Sequence, residues 1–167
     1  MVQVRVLGIA LDSLQRHLVL LKPLHEAPGA GQVLPVWIGQ QEATSILIAM
    51  EGRQPPRPLS HDLISTLFGA VGAELQRVDV TRIDEGTFFA ELALVTPSGR
   101  QVLDSRPSDA IALALRADAP IWVADEVMAA AGIPAAMVDF DTDDGDEARL
   151  DEFKRFLEDV DPEDFQG

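Results

Sequence analysis

The sequence predicts an α+β fold: a mixed β-sheet packed with helices, in which each half supplies three strands and then a helix. Three observations predict it. Short alternating or apolar stretches come in two sets of three. A stretch of helical period follows each set, and Gly, Pro and Asp clusters separate them. The chain has 167 residues, 47% of them apolar, which suffices for one domain with a substantial core. Side-chain identity between the halves is negligible, so the duplication is an expectation about architecture alone.

Taken in order, residues 2–10 alternate like a strand, 18–21 are a short apolar strand, and 33–38 complete the first set. The segment 23–32 carries two glycines and reads as a hairpin loop. A helix is predicted over 40–50, with Ala43, Ile46, Leu47 and Met50 on one face and Gly52 ending it. Three prolines within 54–59 exclude regular helix there. Ser60 is the expected N-cap of a second helix, with Asp62 in its first turn and a buried stripe of Leu63, Ile64, Leu67, Phe68 and Val71. Strands over 75–83 and 87–95 flank the turn Asp84-Glu85-Gly86. A further turn at 96–99 leads to a strand over 100–103. A third helix follows to about residue 117, then a short strand over 120–123 and a short helix that Asp125 caps and Gly132 closes.

Charge divides the chain. The formal net charge is −15, and residues 138–167 hold 13 of the 28 acidic groups but only 3 of the 13 basic ones. The expected organisation is a domain over 1–134, an acidic linker over 135–148, and a short amphipathic helix and tail over 149–167. A bulk acidic field repels phosphate backbones, so the composition does not suggest tight duplex binding. Cysteine is absent, which excludes disulfides, a thiolate nucleophile and a cysteine zinc site. No apolar run approaches the ~20 residues of a membrane span, and the N-terminus lacks a signal-peptide layout. A cytoplasmic protein without membrane contact is expected.

Two junctions concentrate chemistry. Asp104-Ser105-Arg106-Pro107-Ser108-Asp109 precedes an apolar helical run, so its polar groups crowd a helix N-terminus that favours anions. Ser105 or Ser108 could cap that helix, but capping leaves Arg106 without a role unless it meets a carboxylate or a phosphate. Arg57-Pro58-Leu59-Ser60-His61-Asp62 is the second junction; an imidazole in a first turn can serve as a base or a metal ligand. Glu42 begins the first helix. Trp37 and Trp122 read as core or interface aromatics rather than base-stacking platforms, and His17 and His25 receive no role. No Walker loop, dinucleotide fingerprint, zinc-protease motif or nucleophile elbow occurs. A serine hydrolase pairing His61 with Ser105 or Ser108 has no supporting geometry in the sequence.

Four stretches together resemble the bifunctional nuclease domain family, in that family's order. They are Leu34-Pro35-Val36-Trp37-Ile38-Gly39 with Glu42-Ala43; Pro56-Arg57-Pro58-Leu59-Ser60-His61-Asp62; Glu85-Gly86-Thr87-Phe88-Phe89-Ala90; and Asp104-Ser105-Arg106-Pro107-Ser108-Asp109-Ala110. The resemblance covers about residues 1–133. It implies a compact, self-associating α+β domain with nuclease activity toward RNA and DNA, as in plant relatives.

Two functional readings follow. In the first, a metal-assisted phosphodiesterase acts on RNA or single-stranded DNA. Asp104, Asp109 and Glu42 hold a divalent ion (Mg or Mn), His61 and Asp62 take part in proton transfer or ligation, and Arg57 and Arg106 stabilise the pentavalent phosphate. In the second, the same residues form a structural salt-bridge and capping network in a non-catalytic homo-oligomeric module, a dimer being favoured. The first requires the two junctions to meet beside an open cleft.

Overall fold

The computed structural model describes residues 1–27 and 29–138. Met1–Ala135 form one compact unit, and a second begins at Ala136. The expected linker beyond residue 138 and the expected helix over 149–167 lie outside the described residues.

The first meander is β1 (Val2–Leu11), β2 (His17–Pro23) and β3 (Gln32–Trp37), followed by α1 (Gln40–Met50) and α2 (Ser60–Ala70). The second is β4 (Glu74–Asp84), β5 (Thr87–Thr96) and β6 (Gly99–Ser105), followed by α3 (Pro107–Ala117). The short elements β7 (Ile121–Val123), α4 (Asp125–Ala131) and β8 (Ile133–Pro134) come last. Each half therefore places a helix after three strands, as the sequence predicts.

The strands form one sheet in the order β6-β5-β4-β7-β1-β2-β3-β8. Within each meander the pairing is antiparallel, as short connections require. Crossing over through α3, β7 inserts between the meanders. Ile121 pairs with Val4 antiparallel on one side and with Val78 parallel on the other, which makes the sheet mixed. Interior β2 buries Leu18, Val19, Leu20 and Leu21 in succession, which explains why its sequence is continuously apolar rather than alternating. By contrast β6 is an edge, and six of its seven residues are exposed.

Helix α3 lies across β4 and β5, with α1 and α2 packed beside it. Pro107 occupies its first turn after an extended Arg106, and Asp118 closes it in the left-handed region at φ 51°. Ala110, Ile111, Ala112, Leu113 and Ala114 are all buried. The small alanines let neighbouring helices come close, and that proximity brings distant polar residues into contact.

Several expectations are corrected. Strand β6 runs through Ser105, so Asp104 and Ser105 end a strand instead of starting a helix. The N-cap of α2 is Leu59, not Ser60; Asp62 accepts the Leu59 N–H at 2.8 Å from the third helical position. Asp125 is the first residue of α4, whose N-cap is Ala124. On α2, Leu63, Leu67 and Val71 are exposed, and His61 is the buried residue. Ile64 and Phe68 do pack on the core. Among the described residues no helix is long and apolar enough to cross a membrane.

Candidate functional site

A continuous chain of charged and polar groups joins three helices and the strand–helix junction before α3. Glu42 Oε1 accepts from Arg106 Nη2 at 2.8 Å. Arg106 Nε donates to Asp109 Oδ2 at 2.7 Å, and Nη2 donates to Oδ1 at 3.0 Å. Asp109 Oδ1 also meets His61 Nε2 at 2.9 Å. His61 Nδ1 lies 2.8 Å from Ser45 Oγ, which accepts from Arg116 Nη2 at 3.0 Å. Arg116 Nε then donates to Asp62 Oδ1 at 2.6 Å.

Helical spacing builds this chain. Glu42 and Ser45 are three apart on α1, and Asp109 and Arg116 are two turns apart on α3, so each pair shares a face. His61 and Asp62 enter from the first turn of α2. At Gly39, the N-cap of α1, a Cβ would collide with the Glu42 carboxylate, so glycine there leaves room for Glu42 to lie across the helix start.

Donor and acceptor chemistry orders the protons. A guanidinium only donates, so Ser45 Oγ accepts from Arg116 while its hydroxyl also shares a hydrogen bond with His61 Nδ1. A carboxylate only accepts, so His61 Nε2–H donates to Asp109. Ser45 is 5% exposed and His61 7% exposed. No buried side-chain polar atom lacks a partner among the described residues. Although Ser45, His61 and Asp109 are the residue types of a hydrolase triad, Ser45 Oγ has no open face for a substrate.

The carboxylates respond to these partners. Burial works to raise Asp62, but Arg116 and the Leu59 N–H outweigh it and hold its pKa below the ordinary 3.8. Burial also works to raise Asp109, and Arg106 and His61 lower it. Asp109 first and then Glu42 raise Arg106. Depressed carboxylates stabilise the fold above their unfolded pKa, and that contribution is lost as pH falls through the folded values. Urea midpoints are therefore expected to hold from neutrality to about pH 4 and to drop below it. Asp62→Asn and Asp109→Asn variants should show a shallower drop; an equally steep one would place the acid sensitivity elsewhere.

Beside the network lies an open cleft of about 500 Å³, bordered by Arg16, His17, Trp37, Phe88, Arg106 and Ser108. Its first wall is shaped by the β1–β2 turn. Asp12 Oδ1 accepts the backbone N–H of Leu14 and of Arg16, each at 2.9 Å, while Oδ2 accepts Arg16 Nε at 2.8 Å and Trp37 Nε1 at 3.1 Å. These bonds, the Arg16 backbone N–H foremost, hold the Asp12 carboxyl far below the usual carboxylate range. Arg106 reaches the cleft with its side chain 66% exposed.

Comparison with known proteins identifies the family. The family model described as Bifunctional nuclease domain matches residues 21–136. The chain belongs to the bifunctional nuclease domain family. An uncharacterized protein of Mycobacterium tuberculosis is 43% identical over 168 residues, spanning 99% of this chain and 98% of its own. Bifunctional nuclease 2 of Arabidopsis thaliana is 32% identical over 98 residues, 57% of this chain and 30% of that protein. Bifunctional nuclease 1 of Oryza sativa subsp. indica is 26% identical over 115 residues, 67% of this chain and 34% of that protein.

Within this bifunctional nuclease domain the two predicted junctions do meet, through His61 and Asp109. Glu42, Asp62, Arg106 and Asp109 join the same chain of contacts. Two predicted residues do not. Asp104 is exposed on β6, paired across the ladder with Glu91, and Arg57 is exposed before α2. The expected metal set of Asp104, Asp109 and Glu42 is not assembled: Glu42 and Asp109 both turn to Arg106. Among the described residues no three His, Asp or Glu side chains are grouped to hold an ion.

Neither Ser105 nor Ser108 caps α3, whose N-cap makes no side-chain bond, and neither is the serine that reaches His61. Trp37 is 51% exposed on the cleft rather than in the core. Ser45 and Arg116 are the network residues the sequence reading missed. A serine amid the apolar face of α1 was the available signal for one. Arg116 stands in the last turn of α3, where a basic residue also answers the helix C-terminus.

Proposed function

We propose that this bifunctional nuclease domain cleaves phosphodiester bonds of RNA and single-stranded DNA at the cleft beside α3. The observation that carries the reading is the setting of Arg106. Its Nε and Nη2 are fixed on Asp109 and Glu42, and its guanidinium is exposed at the cleft wall with Nη1 unpaired among the described residues. A phosphate attacked by water gathers charge on its non-bridging oxygens. A cation already held in place stabilises that charge without reorganising first.

His61 is enclosed and has both ring nitrogens engaged, so its role here is to position Asp109 and, through it, Arg106. His17 borders the cleft and its imidazole makes no hydrogen bond among the described residues. Imidazole is the side chain best suited to proton transfer near neutral pH, and His17 is assigned the proton of the attacking water; as the P–O bond to the leaving oxygen breaks, that oxygen takes a proton from solvent. The carboxylates do not fit a metal as they stand, so no step runs through an ion. That plant relatives are named bifunctional nucleases supports a nucleic-acid substrate.

A second reading, a self-associating binding module, is favoured by the exposed stripe Leu63, Leu67 and Val71 on α2 and by Val102 and Leu103 on the β6 edge. Incubating the purified protein with single-stranded RNA and DNA oligonucleotides, in EDTA and in Mg²⁺ or Mn²⁺, separates the two. Cleavage is expected from the wild type and from Asp104→Asn, with a roughly 100-fold slower rate in His17→Ala. Absence of cleavage in every condition would leave the binding module. Equal rates in wild type and His17→Ala would remove His17 from the reaction.

A further inference from the structure

We infer that the cleft is a nucleotide subsite in which Trp37 stacks an unpaired base and Arg16 and Arg106 share its phosphate. The inference rests on the placement of phosphate chemistry at Arg106 made above, and extends it to a recognition surface on the opposite half of the domain.

Trp37 ends β3, where a large aromatic would ordinarily turn into the core. Instead its ring stands half-exposed, and Asp12 fixes its orientation by accepting the indole N–H. The same carboxylate holds Arg16, whose guanidinium carbon is 6.0 Å from the indole centroid. With the Arg16 cation over one face, the other face of this fixed, half-exposed indole is a sequence-tolerant platform for a base, because every base has a π-face.

The lining offers an anion guanidinium N–H donors and no carboxylate. The chain carries 28 acidic and 13 basic residues, yet the charged residues bordering this cleft are Arg16 and Arg106. The carboxylates that touch them, Asp12, Glu42 and Asp109, are not among the bordering residues. Both arginines commit Nε and Nη2 to those carboxylates. In both, Nη1 has no partner among the described residues and can meet a phosphate oxygen. A volume of about 500 Å³ falls within the range of small-ligand sites. Phe88 and Pro107 add an apolar lining.

The test is calorimetric titration of the full chain with adenosine 5′-monophosphate, beside adenosine and inorganic phosphate, while tryptophan fluorescence is followed. Saturable binding of the monophosphate with quenching is expected, and phosphate alone should bind more weakly. Trp37→Leu should weaken the monophosphate about tenfold to a hundredfold. Arg16→Gln, a change at an exposed side chain that leaves the indole in place, should weaken it about tenfold. Absence of saturable binding, equal affinity for phosphate alone, or unchanged affinity in both variants would overturn the inference.

No cleavage is needed for this readout. A protein that binds the monophosphate but cuts no oligonucleotide keeps the subsite and loses the proposed activity. One that cuts oligonucleotides but ignores the monophosphate does the reverse.

Discussion

Replacing Arg116 by alanine is expected to destabilise the domain by about 3 kcal/mol. In a domain of this size that lowers the thermal midpoint by about 10 °C. Arg116 is the most enclosed cation of the network, with its side chain 9% exposed. It serves three acceptors on three helices: Asp62 on α2, Ser45 on α1 and the Ala112 carbonyl on its own helix, at 2.9 Å. Removing it strands a partly buried carboxylate and leaves the Ser45 hydroxyl without its donor. An unmatched buried group costs more than a matched pair gains. Arg116→Met combined with Asp62→Leu should therefore be less destabilised than the sum of the two single changes. Urea unfolding of the four proteins measures this. Strict additivity would show that the pair contributes nothing jointly.

That network explains why a soluble-looking set of polar residues sits among helices. It fixes α1, α2 and α3 to one another through directional contacts that apolar packing alone would not supply. Its outer end is Arg106, so the rigidity of the buried end is transmitted to a cationic group at the cleft. The structural role falls to the buried end of this chain of contacts, and the proposed chemistry to its exposed end.

The strand sets and helices were largely legible because their apolar periods differ, and Pro107 marked the start of α3 correctly. The α2 stripe misled for a physical reason. Periodicity shows that Leu63, Leu67 and Val71 share a face, but not whether anything of this chain covers it. The pairing of Arg106 with Asp109 was legible from their spacing within one turn. The meeting of His61 with Asp109, 48 residues apart, followed only from taking both motifs as parts of one site.

Other parts of the site left no sequence signal of comparable strength. Ser45 and Arg116 each had an ordinary explanation within their own helix. Asp12, Arg16 and Trp37 converge because Leu18 pairs with Trp37 in the β2–β3 ladder, a register that no local pattern announces. Asp104 was misplaced because the polar run around it looked like a helix start, whereas the strand continues through Ser105.

Arg106→Gln is expected to slow oligonucleotide cleavage by about 100-fold or more, the usual effect of removing one preorganised donor to developing charge. The same change should cost about 1–2 kcal/mol of stability: the guanidinium is 66% exposed, but Glu42 and Asp109, 16% and 27% exposed, lose their cation. Glutamine keeps an amide donor near Asp109 and Glu42 but supplies no positive charge to the cleft. His61 keeps Ser45 and Asp109, and Arg116 keeps Ser45 and Asp62, in this variant. The decisive measurement is the cleavage rate of a single-stranded oligonucleotide by wild type and Arg106→Gln at matched folded fraction. The account predicts a rate at least about 100-fold lower, beyond anything the loss of stability explains; equal rates in the two proteins would contradict it.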